Sequence, residues 1–274
     1  LRRSRPRNRP GIQRPPAPPQ AYVHRRYQGF GDWLFALAVC KMVNRQRPDV
    51  ELVVHHRLRN GLPAQAWRVS DVRYRSARPS RRDFCDVYEL IYRKWPPNGY
   101  IESTVANWND LTPWPIEYEP GVYPEFRNTP PRSNGGFALM VGHSKMTERG
   151  NREWGHVNWR ALATDLSRTM PVIQVGAARD LHLPNVSARY LGDTFVQLVR
   201  LMRSCRFYCG PENGLTVLAG YLGVPQVTMY DGHQVDPPFN RAERLDFADH
   251  LKIERPVEPP EAYEEVMTWL ESRG

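Results

Sequence analysis

The sequence predicts an α/β protein built on parallel sheets. Three observations predict it. A strand, a glycine turn, a helix and a second strand follow one another within about 35 residues near the N-terminus, the length of a βαβ unit. Strand and helix patterns then alternate through the second half. Finally, one of those strands ends in Gly210-Pro211-Glu212-Asn213-Gly214, directly before an apolar helix.

In chain order, residues 1–20 come first as a basic, Pro-rich arm. They carry Arg2, Arg3, Arg5, Arg7, Arg9 and Arg14 with no acid, and six prolines. Such a stretch cannot build a core and is expected to be extended or disordered. It supplies six of the nine net positive charges, so the body is only mildly basic. The arm can be a solvated tail, or it can associate with an anionic surface or nucleic acid. It has no apolar stretch of the kind a secretory signal needs.

Residues 21–24 read as the first strand. The turn at 28–32 leads into a helix over 33–44, with Leu34, Leu37, Ala38 and Lys41 at helical spacing. Arg47-Pro48-Asp49 ends that helix, and residues 50–54 form a short buried strand. Residues 57–132 hold many Arg, Pro and Trp with little periodicity; 86–92 reads as helical, and 108–131 as a Pro-broken connection between domains. In the second half, 137–142, 171–176, 207–209 and 226–230 read as strands. Residues 157–168, 194–204, 215–222 and 263–272 read as helices, and 143–153 as a polar loop. Parallel strands of this kind need helices on both faces.

Length and composition fit one large or two small globular domains in 274 residues. Cys40, Cys85, Cys205 and Cys209 are scattered without zinc spacing, which reads as reduced thiols in a cytoplasmic protein. No run of about 18 apolar residues occurs.

The Gly210–Gly214 turn carries the chemistry most clearly. Glycines allow close backbone approach, and a helix N-terminus offers N–H groups and partial positive charge to a diphosphate. A glycine kept only for packing is the plainer reading of the turn by itself. Three further segments stand beside it: Gly29-Phe30-Gly31-Asp32-Trp33-Leu34, Arg152-Glu153-Trp154-Gly155-His156-Val157, and Val175-Gly176-Ala177-Ala178-Arg179-Asp180. With Gly210–Gly214 and the following Gly223-Val224-Pro225, this order of segments resembles the heptosyltransferases, glycosyltransferase family 9. The likeness runs from about residue 21 to 230, with a gap at 57–132.

The resemblance implies two Rossmann-like domains in the GT-B arrangement. Residues 21–130 would be the acceptor domain, 131–258 the nucleotide-sugar domain and 259–274 a C-terminal helix. It implies an inverting glycosyltransferase that uses a nucleotide-diphosphate sugar as co-substrate and no other cofactor. Asp32 stands where the family has its general base, although an Asp before an apolar helix is also a favoured N-cap. Arg152 stands in the phosphate-binding place, with Lys145 and Arg149 as substitutes in the same loop. His143 and Ser144 can donate to phosphate, and Asp180 can accept from ribose hydroxyls. Glu212, Asn213, Gly214 and Leu215 complete the donor set, and Gly31 and Trp33 the acceptor side.

Some residues depart from the family. Val217 stands where a His is frequent, and Glu212 and Asn213 stand where Asp and Thr or Ser are usual. No Asp-x-Asp occurs, so the manganese motif of single-domain transferases is absent and no metal site is expected. His55-His56 reads as structural, since neighbours on a strand point apart. Trp67, Trp95, Trp108 and Trp114 can form the core or a sugar-stacking surface. The expected acceptor is a surface glycan of the lipopolysaccharide-core type. Alternatives are a hydroxymethylated base in phage DNA, a nucleotide-sugar epimerase, and a binding module without turnover.

Overall fold

A computed structural model describes residues 19–24, 29–55, 61–77, 87–89, 99–142, 154–231, 247–255 and 257–273. Two fully parallel sheets organise the chain. The first has four strands in the order β3-β2-β1-β4, from β1 (Gln20–His24), β2 (Glu51–His55), β3 (Arg75–Ala77) and β4 (Val87–Glu89). The second has six in the order β10-β9-β8-β5-β6-β7, from β5 (Ala138–Met140), β6 (Val172–Gly176), β7 (Ala188–Leu191), β8 (Phe207–Pro211), β9 (Gln226–Asp231) and β10 (His250–Arg255).

The first lobe is built around α1 (Phe30–Gln46), whose residues 33–40 are all buried. A helix over 33–44 was expected there. It packs against α2 (Leu62–Val69), α3 (Tyr100–Leu111) and, across the lobes, α6 (Gly214–Tyr221). Over residues 33–40 the helix has no solvent face to mark with polar residues, while its last turn, with Arg45 exposed, reaches solvent. It ends where expected, at Arg47 before Pro48.

In the second lobe, alternate residues of each strand serve opposite faces. Ala138, Met140, Phe207 and Cys209 face α4 (His156–Ser167) and α7 (Pro259–Glu271). Leu139, Val141 and Tyr208 face the core that holds α5 (Phe195–Ser204) and α6. That second core continues without a break into α1, α3 and Phe126, so the two lobes share one apolar cluster.

Local signals explain the helix ends. Thr194 caps α5 by accepting from Gln197 N. Glu258 and Glu261 form a capping box ahead of α7, which moves its start to Pro259, four residues before the expected 263. Gly223, at φ +63°, ends α6 in a Schellman turn, with Val224 N donating to Ala219 O at 2.9 Å and Gly223 N to Gly220 O at 3.1 Å.

Several expectations need correction. Residues 87–89 of the expected 86–92 helix form a strand, pairing in parallel with β1 from Tyr22↔Val87 to His24↔Glu89. The edge of a sheet supplied the partner that the local pattern does not reveal. The arm gives way to structure slightly before residue 21: Gln20 opens β1, and Pro19 O accepts from Glu51 N at 2.8 Å. The rest of the arm lies outside the described residues. Residues 112–137 carry no helix or strand and run from α3 to β5, but the connection is packed. Phe126 meets Phe195 edge-on at 4.9 Å, and Tyr123 stacks on Tyr221 at 4.4 Å. No helix among the described residues is long and apolar enough to cross a membrane.

Candidate active site

A cavity of about 670 Å³ lies between the lobes, at the carboxyl ends of the second sheet's strands. In open α/β sheets this is where ligands bind, because the loops leaving the strands and the N-termini of the following helices meet there. Both glycine turns singled out in the sequence line it. The reason is the packing of α1 on α6, which sets their N-termini together. A Cβ on Gly214 would stand 2.6 Å from Gly31 N, and one on Gly31 would stand 3.2 Å from Gly214 Cα. Backbone touches backbone at this point, and only glycine permits it. Two helix N-termini from different lobes thus open on one cavity, and their partial positive charges add.

Asp32 lines this cavity, half-buried in the first turn of α1. The helix starts at Phe30, three residues earlier than expected, with Gly29 as N-cap, so Asp32 is not the cap. Gly29 has no side chain with which to cap α1. The N-terminus of α6 is different. Asn213 Oδ1 accepts from Leu215 N at 2.7 Å and Thr216 N at 3.3 Å, and Tyr208 Oη lies 3.3 Å from the same oxygen. The turn therefore does not offer all of its N–H groups to a ligand, because Asn213 takes two of them. Burial raises the Tyr208 phenol's pKa and keeps it protonated as a donor.

Asp180 also lines the cavity. One of its carboxylate oxygens, Oδ2, accepts from Ala177 N at 2.8 Å and closes the turn after β6. Behind it the fully buried Gln174 pins the next loop, donating to Leu181 O at 2.8 Å and accepting from Leu183 N at 2.9 Å. Glu212, Gly214 and Leu215 line the cavity as well. Trp33 does not. It is 2% exposed and meets Trp67 edge-on at 6.4 Å, so its place is the core of the first lobe. Trp67 and Trp108 are core residues too. Trp95, His143, Ser144, Lys145, Arg149 and Arg152 lie outside the described residues. In sequence, the last five follow β5 and Val141, a cavity residue.

Sequence reasoning missed the contribution of α2 and α3. Gly61, Leu62, Pro63 and Gln65 line the first-lobe wall, with Tyr100 beside Phe35 in a stacked pair at 5.1 Å. The Gly61-Leu62-Pro63 start signal of α2 was there to find. Asp193 and Tyr190, after and within β7, close the far side. Among the described residues no group of three or more metal-ligating side chains converges.

No family model matches the chain, and no curated protein matches it. Solved structures do. ADP-heptose lps heptosyltransferase II of E. coli superposes with TM-score 0.61 at 13% identity, over 92% of this chain and 99% of that one. E. coli heptosyltransferase WaaC with ADP gives 0.62 at 12%, over 93% and 100%. A family 9 glycosyl transferase from Veillonella parvula DSM 2008 gives 0.56 at 11%, over 93% and 97%. At these identities the likeness establishes the fold: the chain shares the two-lobed, parallel-sheet architecture of the heptosyltransferases.

Proposed function

We propose that the protein is a metal-independent, inverting glycosyltransferase that moves a sugar from a nucleotide-diphosphate donor to an acceptor hydroxyl. The observation that carries the reading is the convergence of the Gly29–Asp32 and Gly210–Gly214 turns on one interlobe cavity. The heptosyltransferase fold, and WaaC solved with ADP, support a nucleotide donor.

In this reading the donor diphosphate lies at the paired N-termini of α1 and α6. Arg152 adds a planar fork for the phosphate oxygens and offsets charge on the leaving nucleotide. His143 and Ser144, in the same loop, donate to phosphate. Asp180 accepts from a ribose hydroxyl, and Glu212, Gly214 and Leu215 shape the donor pocket. The acceptor hydroxyl enters beside Gly31. Asp32 takes its proton as the oxygen attacks the anomeric carbon, the bond from that carbon to the phosphate oxygen breaks, and the nucleoside diphosphate leaves. One displacement inverts the anomeric centre. The acceptor in this reading is a surface glycan.

Release of nucleoside diphosphate from nucleotide sugars tests the assignment. Asp32→Asn should lower turnover by about 10²–10⁴-fold while donor binding persists. Unimpaired turnover would remove Asp32 from the role of base. Added EDTA should leave the wild-type rate unchanged, and an EDTA-sensitive rate would contradict metal independence.

A further inference from the structure

The charged lining of the cavity is one-sided. Among the described residues it holds the carboxylates of Asp32, Asp180, Asp193 and Glu212 and no Lys, Arg or His. Its only side-chain N–H donors, again among the described residues, are two carboxamides, Asn213 and Gln65. Both are held in the same way. Asn213 Oδ1 caps α6. Gln65, half-buried on α2 in the first lobe, reaches across to the second, where its Oε1 accepts from Phe195 N, the first helical N–H of α5, at 2.6 Å. A backbone N–H can only donate, so the amide oxygen must be the atom that faces Phe195. The NH₂ end is thereby the end without a bond to Phe195, on a residue that lines the cavity.

The site is well supported. Phe195 packs edge-on against Phe30 at 6.0 Å, and a Cβ on Gly214 would stand 2.8 Å from Phe30 Cδ1. Gln65 is thus joined through Phe195 and Phe30 to the glycine junction where the two lobes touch.

We infer that Gln65 is a ligand-contacting residue of this site, its Nε2 donating to an oxygen of the bound nucleotide sugar, either a phosphoryl oxygen or a sugar hydroxyl. The inference rests on the nucleotide-sugar reading above. A cap alone needs only the amide oxygen. A ligand contact also needs the NH₂ group, and the two demands can be separated. Gln65→Glu keeps an acceptor for Phe195 N and removes the donor. Gln65→Leu removes both and adds no charge.

Calorimetric titration of the full chain with ADP, UDP, GDP and CDP, and with an ADP-, UDP-, GDP- and CDP-sugar, decides the matter. Thermal unfolding of each variant controls for folding. Both variants should bind about tenfold more weakly than wild type, the size expected for one lost hydrogen bond to a polar or charged group. Gln65→Glu should keep the unfolding temperature of wild type. Loss with both the diphosphates and the sugars places the acceptor oxygen on phosphate; loss with the sugars alone places it on the sugar. Wild-type affinity in Gln65→Glu overturns the inference and leaves Gln65 as a cap. Weak binding by Gln65→Glu with wild-type binding by Gln65→Leu assigns the effect to the added carboxylate, and also overturns it. A wild-type protein that binds none of the eight probes overturns the underlying nucleotide-sugar reading and this inference together.

Discussion

Asn213 shows how one side chain sets the electrostatics of the site. Its neutral oxygen satisfies two N–H groups of α6 without placing a charge where a diphosphate would bind. Asn213→Ala should cost about 1 kcal/mol of stability through the lost cap. Asn213→Asp should keep the cap, gain charge–dipole energy and unfold at an equal or higher temperature. It should nevertheless bind nucleoside diphosphates more weakly, because a carboxylate then faces the phosphates. At an effective dielectric of about 20 and roughly 5 Å, two unit charges repel by about 3 kcal/mol before salt screening. Calorimetry at low and high salt checks this, and equal affinity for wild type and Asn213→Asp would contradict the placement of the diphosphate.

The positions of Asp32, Asp180 and Asn213 at the cavity were legible because each lies in or beside a glycine-bearing turn in a recognisable order. Trp33 misled because it adjoins Asp32 in sequence, yet consecutive helix residues point about 100° apart, and Trp33 turns into the core. Gln65 was not legible at all. What singles it out is a partner 130 residues away.

The helices and strands that carry the site meet through contacts that tolerate no extra atoms. Gly214→Ala would drive a methyl group into the Gly31 backbone at 2.6 Å, and Gly31→Ala would meet Gly214 Cα at 3.2 Å. Backbone on both sides cannot yield cheaply. Overpacking costs about 1–3 kcal/mol, so Gly214→Ala should lower the unfolding temperature by several degrees, and Gly31→Ala by less. Both should also weaken donor binding, and a Gly214→Ala protein as stable as wild type would contradict the abutting N-termini. Tyr221 Oη ties the same two helices by donating to Leu34 O at 3.1 Å. Tyr221→Phe should cost about 1 kcal/mol, measured by urea denaturation.

Elements with strong local patterns were legible. These include α4, α5, α6 and the strands of the second sheet's centre. The short edge strands β3 and β4 were not, because a three-residue strand is defined by its neighbour and not by its own composition. Helix α3 carries Ile101, Val105 and Trp108 on one buried face, but the prolines on either side hid that period.

Across the whole molecule, one apolar cluster joins both lobes, and it and the core under α4 and α7 enclose ionisable groups that must stay neutral. Burial pushes the thiols of Cys205 and Cys209 up to about 12, and those of Cys40 and the Tyr208 phenol higher still. A group whose folded pKa exceeds its unfolded one loses its proton first in the unfolded chain. Its stabilising contribution is complete below the unfolded value, 9.0 for a thiol, and is lost as pH climbs from there toward 12. The urea midpoint should therefore be unaffected by these groups up to about pH 8.5 and fall steeply above 9. In the native protein these thiols should also resist alkylation at neutral pH. Fast labelling of Cys40 or Cys205 would contradict the shared core.

The parallel α/β architecture was legible from alternation alone. The contact between the lobes was not, since no local pattern encodes the seating of α1 on α6. The central claim is that this interlobe cavity holds a nucleotide-diphosphate sugar. Thermal unfolding of the wild-type chain with ADP-, UDP-, GDP- and CDP-sugars tests it most directly. The account predicts that at least one of them, at 100 times its dissociation constant, adds about 2.7 kcal/mol of stability, and that Asn213→Asp diminishes the gain. An unfolding transition that none of the four displaces at millimolar concentration would contradict it.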